Sequence, residues 1–240
     1  MSIRVIGFDG DDTLWHNETH FAMTQERFRH LLSSYAEGQD IDRRLFETEM
    51  RNLRLFGYGV KGFTLSMIET AIEVSEWRVT AREIQTILDA GKAMLELPVE
   101  LVGGVRETLD RLAGSYRLML ITKGDLFHQE SRVAGSGLGE LFTAVEIVSE
   151  KDEGTYRRIL DRHDIAAGEF LMVGNSLRSD VLPAIAVGGR AAYVPYHTTW
   201  QHEAAAEAPS SGYWELASIS ELPERLGAVS PRETPQRVTD

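Results

Sequence analysis

The segment Val5-Ile6-Gly7-Phe8 carries no polar side chain, and it runs directly into the acidic cluster Asp9-Gly10-Asp11-Asp12-Thr13. An apolar run of this length reads as a strand buried on both faces, with polar groups delivered at its carboxyl end. The same pattern recurs after Pro98. Helices are expected over Val105 to Ala113, Leu126 to Ser136, Thr155 to His163 and Asp180 to Val187. Between them, strands are expected over Arg117 to Ile121, Ala144 to Val148, Phe170 to Val173 and Ala191 to Val194. Strands and helices that alternate with short links imply an α/β fold, a doubly wound parallel sheet with helices on both faces. Ligands of such sheets bind beyond the carboxyl ends of the strands. Thr122-Lys123-Gly124-Asp125, Ser149-Glu150-Lys151 and Gly174-Asn175-Ser176, with Asp180 shortly after, follow three of these strands. Together with Asp9, they bring polar or charged groups from four strand ends to one edge.

Between residues 18 and 96 strand signals nearly vanish and helical spacing dominates, as in Phe21, Phe28, Leu31, Leu32 and Tyr35 or Leu65, Ile68, Ala71 and Ile72. A further helix is expected from Thr80 to Leu95. The organisation read from the sequence is a core of residues 1–17 and 97–227, an all-helical insert over 18–96 and a polar tail, 228–240, expected to be disordered. A short helix is expected from Ile219 to Leu226. A chain of 240 residues with 42% hydrophobic residues can bury a core of this size. It has no cysteine, which excludes disulfides, thiolate metal sites and a Cys nucleophile. Any metal must be held by oxygen or imidazole, and carboxylates favour a hard cation such as Mg²⁺.

The net charge of −12, with Lys and Arg scattered, leaves no basic stripe for nucleic acid. No apolar run reaches the roughly 18 residues of a membrane span. The N-terminus enters a strand directly, so no signal peptide is expected and a cytoplasmic enzyme is the expected setting. Oligomeric state is not readable from these residues.

Asp9 and Asp11 are two apart at a strand end, and in a continuing strand both would point to the same side. Close carboxylates repel, and a cation or shared proton relieves them. An ionised carboxylate can attack phosphorus to give an acyl phosphate, while a second carboxylate serves as general acid and then general base. The charge on the transferred group needs fixed donors, for which Lys151 and the Thr122 hydroxyl are candidates. Taken singly, each cluster has a plainer reading: a solvated turn at Asp9 to Asp12, a helix cap at Asp180, a solvent-facing side chain at Lys123. His16, His128, His163 and His197 have no metal-cluster spacing.

At these residues the chain resembles the haloacid dehalogenase superfamily. Phe8-Asp9-Gly10-Asp11-Asp12-Thr13-Leu14 resembles its Asp-x-Asp-x-Thr signature, Leu120-Ile121-Thr122-Lys123-Gly124 its second motif, Ser149-Glu150-Lys151 its third, and Val173-Gly174-Asn175-Ser176 with Asp180 its fourth. The resemblance implies a Rossmann-like core with an inserted all-helical cap. By position, Asp9 would be nucleophile and Mg²⁺ ligand. Asp11 would be general acid/base and would bind the metal through its backbone carbonyl. Thr122, Lys151 and the backbone N–H of Lys123 would hold the phosphoryl group, and Asp180 and Asn175 would complete the metal site. Asn175 stands where relatives often have Asp, which removes one charge from that site. The cap is expected to reach the site through Gly57-Tyr58-Gly59-Val60-Lys61-Gly62-Phe63, with Lys61 meeting an anion; a plain link between two cap helices is the other reading.

The implied activity is Mg²⁺-dependent hydrolysis of a small phosphorylated metabolite through phospho-Asp9. Dehalogenation needs an Asp nucleophile but no metal, and the presence of Asp11 and Asp180 points away from it. Phosphonate cleavage through a cap lysine stays open at Lys61. Phosphoryl transfer of the phosphoglucomutase type shares phospho-Asp9 and cannot be separated by motifs. A non-catalytic binding module would be signalled by loss of Asp9, Asp11 or Lys151, and all three are present.

Overall fold

The structure, a computed structural model, describes residues 2–198, 200–203, 209 and 211–227. The tail 228–240, expected to be disordered, lies outside the described residues.

Strand β1, Val5–Phe8, is buried along its whole length. Four helices follow: α1 Glu18–Leu31, α2 Gly38–Phe56, α3 Val60–Val74 and α4 Ala81–Glu96. Thr80 caps α4 in a reciprocal capping box with Glu83, which is why the helix begins where it does. The chain continues as α5 Val105–Ala113, β2 Arg117–Lys123, α6 Leu126–Ser136, β3 Ala144–Val148, α7 Glu153–Arg162, β4 Phe170–Gly174, α8 Leu182–Ala186, β5 Arg190–Tyr193, β6 Tyr213–Glu215 and α9 Leu222–Arg225.

All neighbouring strands pair in parallel, in the order β3-β2-β1-β4-β5-β6. β1 is central, paired with β2 on one side and β4 on the other, which explains its wholly apolar sequence. Alternation along the strands divides the core into two layers. Ile6, Phe8, Leu118, Leu120, Leu171 and Val173 pack with Leu109 and Leu112 of α5. Val5, Met119, Ile121, Phe170 and Met172 pack with Tyr156, Ile159 and Leu160 of α7. The helices α1 to α4 bury a third cluster that includes Phe28, Leu32, Ile41, Leu45, Phe63, Met67 and Ile87.

This strand order has its topological switch point between β1 and β4, where the chain leaves the two strands for opposite sides of the sheet and a crevice opens. Register aligns Phe8 with Leu120 and with Val173, so β1, β2 and β4 end at matching heights. The loops that start with Asp9 and Asn175 therefore meet at the crevice.

Three local expectations differ from the structure. β2 extends through Thr122 and Lys123, two residues beyond its expected end. Asp180 lies inside a wide helical turn, Leu177–Val181, rather than at the start of a helix to Val187. The edge strand β6 has no clear signal in the sequence: three residues, Tyr213–Glu215, are too few to show alternation, and their strand state comes from pairing with β5.

Candidate active site

Asp9 is the first residue past β1, and its backbone N–H still donates to the Val173 carbonyl of β4 at 2.9 Å. The strand does not continue to Asp11. The N–H groups of Thr13 and Leu14 turn back to the Gly10 carbonyl, and Asp12 adopts a left-handed backbone with φ 64°. The expectation that Asp9 and Asp11 point to one side of a continuing strand is therefore corrected. This turn separates the two carboxylates into different environments.

Asp9 is 7% exposed and Lys151 3%. The Lys151 ammonium donates to Asp9 Oδ1 at 2.5 Å and to Asp180 Oδ1 at 2.7 Å, so one buried cation bridges two buried carboxylates. Burial alone would lower the Lys151 pKa, but Asp180 and Asp9 outweigh it and hold the ammonium charged. Burial raises the Asp9 carboxyl to about 7 against the pull of Lys151, with Asp180 adding to the rise. The second oxygen of Asp180 accepts from the Ser176 N–H at 3.1 Å. Gly174 is what admits this carboxylate, because a Cβ there would overlap it.

The other oxygen of Asp9 accepts from the Thr13 hydroxyl at 3.1 Å. An Asn175 amide atom lies 3.1 Å from that same oxygen and 3.3 Å from the Asp11 backbone carbonyl. With nitrogen in that position the amide donates to both. With oxygen there, three acceptors face one another, an arrangement that a cation resolves. The donor set of carboxylate, backbone carbonyl and amide oxygen is the hard-oxygen chemistry that suits Mg²⁺. Among the described residues no group of three His, Cys, Asp or Glu side chains converges for a metal, so a cation here would draw on the backbone and the amide as well as on Asp9 and Asp180.

The Asp11 carboxylate turns away from this cluster. Its Oδ1 accepts from the Trp15 indole at 2.7 Å and its Oδ2 from Gln129 at 2.9 Å, while it still lines the cavity above Asp9. Thr122 is 1% exposed, and among the described residues its hydroxyl has only a long 3.5 Å contact with the Lys123 carbonyl. A cavity of about 180 Å³ joins Asp9, Asp11, Thr122, Lys123, Lys151, Asn175 and Asp180 to residues of α1, α2 and α3.

The model of the haloacid dehalogenase-like hydrolase family matches residues 3–188. The chain belongs to this family. A haloacid dehalogenase-like hydrolase from Xanthomonas campestris is 46% identical over 95% of this chain and 91% of its own, with a TM-score of 0.85. The magnesium-bound structure of YfnB from Bacillus subtilis is 16% identical, covering 94% and 99%, with a TM-score of 0.66. A 2-haloacid dehalogenase from Pseudomonas syringae pv. tomato is 21% identical, covering 94% and 98%, with a TM-score of 0.62. The last two likenesses show the shared fold. No curated protein matches the chain.

In this hydrolase Lys61 does not take the position expected of it. Its ammonium pairs with Asp125 Oδ1 at 2.9 Å, half exposed, and it is not among the cavity's lining residues. Asp125 also caps α6, and this gives it a fixed carboxylate for Lys61 to meet. The glycine-rich loop itself does reach the cavity, through Gly57, Tyr58 and Gly59.

Lys123 does not face solvent. It donates to Glu203 Oε1 at 2.6 Å and to Ser179 Oγ at 2.8 Å, and its ammonium lies 4.2 Å from the centre of the Tyr58 ring. Glu203 also accepts from the hydroxyls of Ser176 and Ser179. Burial opposes its ionisation, but Lys123 and these hydroxyls outweigh it and hold the Glu203 carboxyl at about 2. Sequence reasoning missed Glu203. It lies ten residues past β5, beyond the reach of the rule that singled out the other strand ends.

The motif assigns Asp12 no role, yet its buried carboxylate accepts from the N–H groups of Asn17 and Glu18 at 2.8 and 3.0 Å. It thereby fixes the point where the chain leaves the core for α1. Burial raises its carboxyl to about 7, against those two N–H groups. His128, 9% exposed, lines the cavity, and burial, reinforced by Arg132, lowers its pKa and keeps it neutral. His16 pairs with the Tyr196 hydroxyl and His163 with Glu146.

Proposed function

We propose that this hydrolase is a Mg²⁺-dependent phosphatase that cleaves a small phosphate monoester through a phospho-aspartate on Asp9. The observation that carries the reading is the convergence of Asp9 Oδ2, the Asp11 carbonyl and the Asn175 amide at 3.1 and 3.3 Å, beside a second carboxylate, Asp11, in the same cavity. Haloacid cleavage uses neither a cation nor that second carboxylate, so both features favour the phosphate ester.

The residues then act as follows. Asp9, one oxygen held by Lys151 and the other by Thr13, attacks phosphorus, and the ester P–O bond breaks. Asp11, kept apart from Asp9 and oriented by Trp15 and Gln129, gives its proton to the leaving alkoxide. It then takes a proton from the water that attacks phospho-Asp9, releasing inorganic phosphate and restoring the carboxylate. The Lys151 ammonium and the Thr122 hydroxyl offset charge on the phosphoryl oxygens. When bound at Asp9, Asp180, Asn175 and the Asp11 carbonyl, Mg²⁺ supplies further neutralisation of that charge.

The test is a panel of phosphorylated metabolites and 2-haloacids assayed with Mg²⁺ and with chelator, on wild type and Asp9→Asn. Phosphate release that needs both Mg²⁺ and Asp9 is expected. Metal-free halide release with no ester turnover would establish the dehalogenase instead, and isomerised ester without free phosphate would establish a mutase.

A further inference from the structure

Outside the Asp9, Lys151 and Asp180 cluster, the cavity lining offers mostly hydrogen-bond acceptors. Four side-chain amides besides Asn175 line it; Asn17 accepts from Arg132 through its carbonyl oxygen, and the other three have the NH₂ group committed to a carboxylate. Gln25 donates to Asp42 at 3.0 Å, Asn52 to Glu69 at 2.7 Å and Gln129 to Asp11 at 2.9 Å. Reversing any of these amides would set its oxygen against a carboxylate, so the carbonyl oxygens are what remain for a ligand. Gln129 is 3% exposed and its Oε1 has no partner among the described residues, a buried acceptor that calls for a donor. Glu18 and Glu49 line the same cavity, and neither carboxylate has a hydrogen-bond or salt-bridge partner among the described residues.

The cavity's cations are already engaged. Lys151 bridges Asp9 and Asp180, and Lys123 is held by Glu203 and Ser179. Lys61 is paired with Asp125 outside the lining, and His128 is neutral. A carboxylate or second phosphate on the leaving group would meet Glu18 and Glu49, whose carboxyls burial already raises to about 8 and about 7, with no free ammonium or guanidinium among the described residues to balance it. A hydroxyl would satisfy the amide oxygens, and an ammonium would satisfy the carboxylates as well. Phe21 and Phe63, with ring centres 5.0 Å apart, give that region an apolar wall suited to a short carbon chain.

We infer that the substrates of this site are phosphate esters whose leaving alcohol bears hydrogen-bond donors, an ammonium above all, and no second anionic group. The inference rests on the phosphatase reading and names its substrate class.

Three esters of equal length test it: phosphoethanolamine, ethylene glycol monophosphate and 2-phosphoglycolate, which carry an ammonium, a hydroxyl and a carboxylate at the same place. With p-nitrophenyl phosphate as reference, kcat/KM is expected to fall in that order, by about tenfold or more from first to last, the size of one charge-assisted hydrogen bond. Glu49→Gln and Glu18→Gln, each checked for an unchanged melting temperature, should narrow the ratio of phosphoethanolamine to 2-phosphoglycolate by about tenfold. A reversed order, or a ratio that neither variant moves, overturns the inference while leaving the phosphatase intact. Inertness toward all four esters in the presence of Mg²⁺ overturns the phosphatase reading, and this inference falls with it.

Discussion

Replacing Lys151 with Met removes the one cation bonded to both Asp9 and Asp180 and leaves a side chain of similar length in its place. Because its ammonium touches one oxygen of each carboxylate, at 2.5 and 2.7 Å, those oxygens can be no more than about 5 Å apart, a separation at which two charges repel by about 3 kcal/mol at an effective dielectric of 20. Breaking a buried ion pair by removing one partner costs roughly 3–5 kcal/mol, which agrees in scale. For a chain of this length that is a fall in melting temperature of roughly 6–12 °C. The assay is thermal unfolding at neutral pH, first in chelator and then with millimolar Mg²⁺. The variant should melt that far below wild type in chelator and recover part of the loss when Mg²⁺ is added, because a divalent cation on the same carboxylates replaces the missing charge. Turnover should stay about 10²–10³-fold down even in Mg²⁺, since one donor to the phosphoryl oxygens is gone. A variant that melts within about 2 °C of wild type in chelator would refute the reasoning, for it would mean that Asp9 and Asp180 do not need the ammonium between them.

Three further outcomes are expected. Asp11→Asn should slow both phosphoryl-transfer half-reactions by about 10²–10⁴-fold and let a phosphorylated protein accumulate, seen as a mass increase in intact-protein spectra; turnover near the wild-type rate would remove Asp11 from the proton transfers. Lys61→Ala should leave kcat and KM within about threefold of wild type and cost under about 1 kcal/mol of stability, as for a half-exposed ion pair; a large loss of kcat/KM would return Lys61 to the substrate. For Glu203, whose carboxyl is held at about 2 in the fold against an ordinary 4.5, stability from the Lys123 pairing is fully present above about pH 4.5 and lost as pH falls toward 2, about 3 kcal/mol at most. Glu203→Gln should therefore lower the melting temperature at neutral pH and shrink the gap from wild type as the medium is acidified; an equal gap at all pH would show that the charge is not what stabilises this contact.

Much of the site was legible because its residues follow apolar runs. A strand that is buried on both faces must be apolar, so where polarity returns the sequence marks the carboxyl end. Asp9, Thr122, Lys151 and Asn175 all sit at such points, and the structure gathers them around one cavity. Lys61 was misread because its surroundings, three glycines in a helical region, suggest a loop free to reach an anion, whereas its partner Asp125 lies in a loop of the core, 64 residues away. Glu203 was missed because its partner Lys123 lies 80 residues away and no local pattern links the two.

The sequence by itself determined the layered α/β architecture, the helical stretch between the first and second motifs and the set of groups that can meet at the sheet edge, since burial periodicity and strand ends are local properties of the chain. Tertiary structure decided how those groups divide their work. It turned Asp11 away from Asp9 onto Trp15 and Gln129, tied up Lys61 and Lys123 with distant carboxylates, and left the cavity lining outside the Asp9, Lys151 and Asp180 cluster with mostly acceptors. Pairings of that kind depend on which loops the sheet order brings side by side, and that order is fixed by packing across the whole fold rather than by any single segment.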